Sequence, residues 1–256
     1  MVYTGRRVAV GLTSDNEPVL LYGVEGRSEA SRSRIAIVHG SRVSIEPAGQ
    51  LTPEQEAMKS RIVYDAIMSN AEKKTAVVSN GRHTGSIFRA YMKEFGGDWP
   101  ARETDAHWLV SRVLKRWGHE GKQGDRYNTP RIAGLFDRRY GLVPCVLGIV
   151  TEQVMSKDYD WWLNTTRALS ESGAIRYITT YTGETEEPQA PVFQSASEIT
   201  KTQHIEGKTA QELAEEMYTF MDPNVVVCAA VALWVSTPVE GSYPKGKWEL
   251  AVKNKS

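Results

Sequence analysis

The densest group of polar side chains lies in residues 79–86, which read SNGRHTGS and combine two glycines with hydroxyl, amide and cationic donors. The apolar, β-branched run 75–78 precedes this octapeptide, and apolar residues at helical spacing follow it. We therefore predict a turn from a strand into a helix. The unpaired N–H groups at a helix start favour an anion such as a phosphate. An ordinary capped polar turn explains the same pattern, and the order of residues fits neither a P-loop nor a dinucleotide fingerprint.

Two further polar segments are candidates for a binding site. Residues 25–34 form a predicted loop with three arginines and three serines, in which Arg32 and Arg34 would share one side of an extended segment. Residues 128–131 read NTPR, a rigid turn with three hydrogen-bonding side chains. For each segment a structural explanation stays open: a solvated loop for the first, and a helix start capped by Thr129 for the second.

Length, composition and charge limit the classes of protein to which this chain can belong. The 256 residues suffice for one large domain or two small ones, and 41% hydrophobic with 24% charged residues is ordinary for a globular protein. Because 31 basic and 31 acidic residues cancel, a nucleic-acid binder with a broad basic face is disfavoured, whereas a local cationic pocket for a small phosphate is not. No stretch is apolar and long enough for a signal peptide or a membrane span, so we expect a cytoplasmic protein.

The reactive side chains indicate neither a metal centre nor a cysteine nucleophile. Cys145 and Cys228 both lie in apolar runs, where they resemble small buried hydrophobic residues. The five histidines lack the close spacing of a zinc motif. We therefore expect no metal and no other cofactor. The abundant arginine, hydroxyl, amide and aromatic side chains suit an anionic, planar small molecule.

The elements that must position these segments are mainly strands in clusters. Predicted strands occupy residues 7–12, 18–23, 35–38, 42–45, 144–151, 175–181 and 224–235. Amphipathic helices are predicted at 106–117 and after the capping box 209–212, whereas 62–67 fits a strand or a helix. Clustered hairpins with segregated helices indicate an α+β domain, and parallel βαβ alternation is the weaker alternative.

Seven short blocks of the sequence are informative in combination: YTGR at 3–6, VAVG at 8–11, RS at 27–28, AVVSNG at 76–81, HT at 83–84, NTPRIAG at 128–134 and TY at 180–181. They occur in the order seen in archaeal-type IMP cyclohydrolases. The blocks around 79–84 and 128–132 are specific in combination, and the match runs to about Thr237. The chain therefore resembles that family, which closes the ring of 5-formamidoimidazole-4-carboxamide ribotide (FAICAR) to give IMP and water.

The resemblance also implies an architecture and a partner. The implied fold is an α+β, four-layer αββα sandwich of two antiparallel sheets, as in N-terminal-nucleophile hydrolases. Residues 1–240 would form a single domain, and the polar, lysine-rich residues 241–256 a C-terminal tail. The implied partner is a small-molecule purine nucleotide, with no nucleic acid and no membrane, and a homo-oligomer stays open.

The resemblance implies roles for individual residues at positions that match the family's motifs. Arg27 and Tyr64 are the candidates for acting at the reacting groups, and Glu120 and Asp125 are further catalytic candidates. A larger set would bind the nucleotide: Ser28, Arg32, Asn80, Gly81, His83, Thr84, Asn128, Thr129, Arg131 and Tyr181.

The chain departs from the family pattern near these positions. Glu29 stands where the family has an aromatic residue, and Thr182 stands where it has a glutamate. Gln123 replaces the family's glutamate ahead of Asn-Thr-Pro-Arg, unless Glu120 takes that place through a loop shift. Two alternatives stay open: a nucleotide-binding protein of this fold that has lost catalysis, and an amide hydrolase of the same fold. The latter would need an N-terminal Cys, Ser or Thr, which residues 1–3 do not supply.

Overall fold

Two antiparallel sheets dominate the structure, which is a computed structural model. The residues that it describes are 3–51, 53, 56, 59–96, 103–118, 129–138, 145–150, 161–165, 171–191, 198, 200–237 and 245–255.

The first sheet contains both chain ends of the described region. Its strands lie in the order β13-β10-β1-β2-β14-β15, and each pair of neighbours is antiparallel. They are β1 (Arg6–Leu12), β2 (Pro18–Glu25), β10 (Ala174–Thr179), β13 (Lys201–His204), β14 (Val226–Thr237) and β15 (Lys245–Asn254). The hairpin predicted for the first two strands is confirmed, with Leu12 opposite Pro18 across the turn.

The second sheet follows the chain from one edge to the other. Its strands are β3 (Arg34–His39), β4 (Arg42–Pro47), β5 (Tyr64–Asn70), β6 (Thr75–Ser79), β7 (Arg131–Asp137), β8 (Cys145–Val150) and β9 (Trp161–Thr165). The hairpin expected from 35–38 and 42–45 is confirmed. The ambiguous segment 62–67 begins at the end of a short helix, at Ile62, and continues into β5 from Tyr64. A small separate pair consists of β11 (Thr182–Gly183) and β12 (Pro188–Gln189).

The helices lie outside the sheets. They are α1 (Glu29–Arg32), α2 (Lys59–Ile62), α3 (His83–Phe95), α4 (Glu103–Trp117) and α5 (Ala210–Thr219). The predicted capping box at the start of α5 is confirmed, because Thr209 and Glu212 bond each other's backbone N–H groups. Among the described residues, no helix is long and apolar enough to cross a membrane.

Alternation along the strands explains how the layers pack. In β1, Val8 and Val10 face the second sheet and contribute to the core between the sheets, whereas Ala9 faces the opposite way and packs in the core under α5. Helices α3 and α4 cover the outer face of the second sheet, where Ile87 and Leu114 are fully buried. The expected α+β class, with packed antiparallel sheets and segregated helices, is confirmed.

The last strand joins the two sheets at their edges. Trp248 on β15 packs edge-on against Trp234 with ring centroids 5.4 Å apart. The amide of Asn254 accepts a hydrogen bond from Ala36 N at 2.7 Å and donates one to Ala36 O at 3.0 Å. Residues 245–254, which the sequence suggests as part of a polar tail, therefore contribute a paired strand to the first sheet.

Candidate active site

Most of the polar segments singled out in the sequence meet at one end of the sandwich. Strands β1, β3, β5, β7 and β14 begin there, and β2, β6 and β10 end there. We call this the polar end and define it as residues 3–6, 22–34, 64, 79–84, 129–131 and 179–181. Two side-chain contacts tie the sheets together at this end, between Tyr22 and Tyr64 and between Thr129 and Tyr181.

Tyr64 begins β5 and points into the space between the sheets. Its hydroxyl lies 2.7 Å from the hydroxyl of Tyr22 on β2, and the two rings meet edge to face with centroids 6.4 Å apart. Tyr22 is fully buried, whereas Tyr64 is 5% exposed. Burial raises the pKa of Tyr22 well above its ordinary value, and the neighbouring Tyr64 raises it further, while the charges of Arg6 and Arg34 oppose the shift. Tyr22 therefore stays protonated at neutral pH.

Arg27 lies at the rim of the polar end against two tyrosine rings. Its guanidinium carbon is 5.5 Å from the ring centroid of Tyr3 and 6.0 Å from that of Tyr181. These rings stack on each other, with centroids 5.8 Å apart and planes at 22°. Arg27 Nη1 also donates to Thr185 O at 3.4 Å. Cation–π contacts of this kind hold a guanidinium in place while leaving it charged.

The other residues of the arginine-rich loop differ in exposure. Ser28 is exposed and caps the short helix α1 by accepting a hydrogen bond from Ser31 N at 3.2 Å. Arg32 is exposed as well, and its Nε donates to Gly26 O at 3.1 Å. Arg34 begins β3 and is only 2% exposed, so the two arginines do not share a surface as the sequence suggested.

Gly26 allows this loop to fold back on itself. A Cβ atom at this position would lie 2.8 Å from the backbone carbon of Ser31 and 2.9 Å from its oxygen, closer than real side chains come. The glycine therefore lets β2 continue directly into the loop that carries Arg27.

The octapeptide forms the predicted strand-to-helix turn, with β6 ending at Ser79 and α3 beginning at His83. Gly81 O accepts hydrogen bonds from Thr84 N at 3.0 Å and from Thr84 Oγ1 at 2.8 Å. The hydroxyls of Ser79 and Thr84 are hydrogen-bonded to each other. These bonds make the turn compact, and its hydroxyl groups point inward rather than to solvent.

Asn80 fastens the octapeptide to the start of β7. Its Nδ2 donates to Pro130 O at 2.8 Å, and its Oδ1 accepts from Ile132 N at 2.8 Å. The octapeptide and residues 129–132, which are about fifty residues apart in the chain, are thereby held side by side. Both ends of the Asn80 amide serve this contact.

His83 is a buried, neutral histidine. Its ring is fully enclosed, and Nε2 lies 3.3 Å from Ile132 O, an acceptor that requires the proton on Nε2. Burial, together with the smaller effect of the Arg131 charge, lowers the pKa of His83 to about 3. Nδ1 is then an acceptor, and it has no hydrogen-bond partner among the described residues.

Gly81 lies between the buried side chains of Arg131 and His83. A Cβ atom there would lie 3.2 Å from both Arg131 Nη1 and His83 Nδ1. Arg131 is 3% exposed, and its guanidinium lies over the ring of Trp117 with the guanidinium carbon 5.2 Å from the centroid. The glycine thus permits the turn to approach the guanidinium closely.

Sequence reasoning missed two residues of the polar end, Tyr22 and Glu25, and did not predict that Arg34 is buried. Glu25 is buried, and its Oε2 accepts from Thr4 N at 2.6 Å and from Gly5 N at 3.1 Å, so it fixes the turn that carries Tyr3. Alternation along β2 could have placed Tyr22 between the sheets. A buried acid at the end of an apolar strand has no such signal in the sequence.

Three residues that the sequence suggests for the site lie outside the described residues: Glu120, Asp125 and Asn128.

The cysteines and the possible metal ligands bear on other kinds of chemistry. Both cysteines are buried as predicted, and burial raises the pKa of Cys228 to about 12, which makes it a poor nucleophile. Within the described ranges, no group of three or more His, Cys, Asp or Glu side chains could hold a metal ion.

Comparisons with known proteins identify the family of the chain. The sequence matches the family described as IMP cyclohydrolase-like protein over residues 3–237. The chain belongs to this family. An IMP cyclohydrolase of Methanothrix thermoacetophila is 32% identical over 168 residues, which cover 63% of this chain and 72% of that protein. An IMP cyclohydrolase of Methanocaldococcus jannaschii is 27% identical over 235 residues, which cover 91% of this chain and 94% of that protein. The family predicted from the sequence blocks is confirmed.

Proposed function

We propose that this protein is an IMP cyclohydrolase of purine biosynthesis, which closes the ring of FAICAR to give IMP and water. The family match and the names of the two relatives support an IMP cyclohydrolase-like function. The observation that carries the proposal is the polar end, where Arg27 and Tyr64 lie at the same end of the sandwich as the 79–84 turn and Arg131.

The reaction mainly requires that the carboxamide and formyl groups be positioned and that protons be transferred between them. The carboxamide nitrogen attacks the formyl carbon of the same molecule, so a C–N bond forms and a proton passes from nitrogen to the formyl oxygen. The resulting hydroxyl then leaves as water with the proton of the neighbouring nitrogen, and a C=N bond forms. Holding the two groups in a near-attack conformer lowers the entropic part of the barrier.

Tyr64 and Arg27 are proposed to act at the reacting groups. The Tyr64 hydroxyl would donate its proton toward the formyl oxygen and recover a proton from the attacking nitrogen, as a general acid and base. The Arg27 guanidinium, held against two tyrosine rings, would orient the carboxamide or formyl oxygen and stabilise its developing charge.

The remaining predicted residues are proposed to bind or to shape the nucleotide site. Arg131 supplies positive charge beneath the 79–84 turn, which suits an anionic nucleotide. Asn80 is bonded to the backbone on either side of Arg131 and is proposed to shape the site. The further proposed contacts are Ser28, Arg32, Gly81, His83, Thr84, Asn128, Thr129 and Tyr181, with Glu120 and Asp125 as additional catalytic candidates.

We also infer that the architecture is the αββα sandwich of N-terminal-nucleophile hydrolases. Two packed antiparallel sheets with α5 on one outer face and α3 and α4 on the other support this inference. Residues 1–240 are proposed as one domain.

A binding protein without catalysis is the second candidate. Thr182 and Gln123, which stand where the family has glutamates, favour it because they remove carboxylates expected near the reacting groups. The two candidates differ in turnover and agree in nucleotide binding.

The deciding experiment follows the conversion of FAICAR to IMP by absorbance, with spontaneous closure in buffer subtracted. A rate well above buffer that is proportional to enzyme concentration supports the cyclohydrolase. If the protein binds IMP but FAICAR closes no faster than in buffer, the result supports the second candidate, a binding protein without catalysis.

A further inference from the structure

The buried guanidinium of Arg34 is only partly hydrogen-bonded. Arg34 Nε donates to Ser31 O at 3.0 Å, but neither Nη1 nor Nη2 has a hydrogen-bond partner within the described residues, and both atoms are shielded from solvent. Leaving such donors unsatisfied costs stability, and a buried charge without a counter-ion costs more. Stability therefore does not explain the presence of Arg34 at this buried position.

The fold directs this guanidinium toward the tyrosine pair. Arg34 lies two residues before Ala36, which packs in the core between the sheets, so both side chains leave β3 on the same side. Tyr22 and Tyr64 belong to that core as well. Strand β3 packs against β14, which pairs with β2, so the buried Arg34 side chain enters the region that these three strands share. From there its positive charge acts to lower the pKa of Tyr22 on β2 and of Cys228 on β14.

The tyrosine pair itself is asymmetric. Tyr22 is fully enclosed, and among the described residues its hydroxyl has no hydrogen-bond partner other than the Tyr64 hydroxyl 2.7 Å away, whereas Tyr64 retains slight exposure. Because its hydrogen has no other acceptor there, Tyr22 is assigned as the donor of this bond. A Tyr64 oxygen that accepts this bond must direct its own hydrogen elsewhere, which leaves that hydrogen available to a substrate.

We propose that Tyr22 and Arg34 are positioning residues that act through Tyr64. Tyr22 donates a hydrogen bond to the Tyr64 oxygen, and the Arg34 guanidinium stabilises the negative charge on this oxygen while its proton resides on the formyl oxygen. The proton then lost by the attacking nitrogen returns to the Tyr64 oxygen, so the enzyme ends in its starting state. This inference rests on the proposed function and adds two residues that the sequence blocks do not contain.

The first test is a double-mutant cycle on ring closure with Tyr22→Phe, Tyr64→Phe and the double variant. We expect Tyr22→Phe to lower kcat about tenfold or more, because it removes a hydrogen bond to a charged oxygen. In the Tyr64→Phe background the same change should have almost no effect, since the oxygen on which it acts is gone. The matched control is Tyr91→Phe, which deletes a buried hydroxyl bonded to Asp137 at 2.6 Å on the outer side of the second sheet. It should lower stability and leave kcat unchanged.

The second test uses Arg34→Met, with Arg138→Met as its control. Arg138 is paired with Glu17 and with Ser236 at the opposite end of the sandwich. Arg34→Met should keep or raise the melting temperature and lower kcat about tenfold with little change in KM, because it removes an unpaired buried charge. Arg138→Met should lower the melting temperature and leave kcat unchanged.

The outcomes separate the two proposals. A wild type without turnover overturns the proposed function and this inference with it. A fast wild type whose two tyrosine variants are additive, or whose Arg34→Met variant keeps full kcat, overturns this inference alone. If Tyr22→Phe does not fold, the Arg34→Met comparison decides.

Discussion

The two ends of the sandwich differ in how their polar and charged side chains are satisfied. At one end, which we call the ion-paired end (residues 13–17, 138 and 236), Arg138 forms an ion pair with Glu17 and donates to Ser236 at 2.9 Å. Ser236 in turn donates to Glu17 at 3.1 Å, so the network is closed. At the polar end, Arg34 and His83 each keep a buried nitrogen that lacks a hydrogen-bond partner among the described residues. A closed network serves stability, whereas open donors and acceptors fit a site that a ligand completes.

The largest expected effect belongs to Tyr64 at the polar end. Tyr64→Phe keeps the ring and removes the hydroxyl, so ring closure should slow on the order of a hundredfold. The melting temperature should change little. Stopped-flow or initial-rate absorbance of FAICAR conversion measures the rate. A variant as fast as wild type would move the chemistry to other residues, with Glu120 and Asp125 tested next.

Nucleotide binding should stabilise the protein through the polar end. At about a hundred times the dissociation constant, IMP should add roughly 2.7 kcal/mol to the free energy of unfolding. A thermal-shift series with IMP, AMP and the aminoimidazole ribotide measures this. If all three leave the melting temperature unchanged, the ligand class is wrong.

The buried neutral His83 should make stability depend on acid. Its pKa is about 3 in the folded protein and about 6.5 when unfolded, so the unfolded state binds more protons between these values. Its contribution is therefore complete above pH 6.5 and declines as pH falls toward 3, by up to about 1.4 kcal/mol per pH unit.

Urea unfolding of wild type and His83→Gln at pH 7, 6, 5 and 4 checks this dependence. Glutamine retains a donor for Ile132 O and cannot titrate. The wild type should lose stability more steeply than the variant as pH falls. If the free energy of unfolding fell equally with pH in the wild type and in His83→Gln, His83 would not be held neutral by burial.

Arg27→Lys tests whether the rim needs a planar guanidinium rather than a positive charge. Lysine keeps the charge but loses the fork and the flat contact with Tyr3 and Tyr181. We expect turnover to fall about tenfold, equivalent to about 1.4 kcal/mol, with a small effect on stability. Unchanged kcat and KM would remove Arg27 from the reacting groups.

The smallest effect is expected at the ion-paired end. Glu17→Gln removes the charge that faces Arg138, at a site where both side chains are about a quarter exposed, so the loss of stability should be about 1 kcal/mol or less. Turnover should not change. A large loss of kcat in Glu17→Gln with the fold intact would contradict the division between the two ends.

Local patterns in the sequence predicted most of the sheet framework. Two apolar runs joined by turn residues predicted the hairpin of β1 and β2, and the 3.6-residue period predicted α4. The sequence of β15 resembles a polar tail because Lys245, Lys247 and Lys253 lie on its exposed positions, while the buried Trp248 and Ala251 are few. Its pairing with β14 depends on tertiary context that composition does not show.

The candidate site was predictable only in part for a related reason. The octapeptide and the 128–131 segment carry local signals, and Asn80 joins the octapeptide to residues 130 and 132. The contact of Tyr22 with Tyr64 spans 42 residues of sequence and two sheets, so no local pattern reports it. The burial of Arg34 is equally hidden, because Arg34 stands at the boundary between a polar, serine-rich loop and the apolar run 35–38.

The central claim is that the polar end binds the nucleotide and the ion-paired end does not. A crystal structure of the protein with bound IMP tests it most directly. We expect the nucleotide at the polar end, with its base within hydrogen-bonding reach of Tyr64 or Arg27. A nucleotide bound beside Glu17 and Arg138, or on the helix-covered outer face of either sheet, would contradict the account.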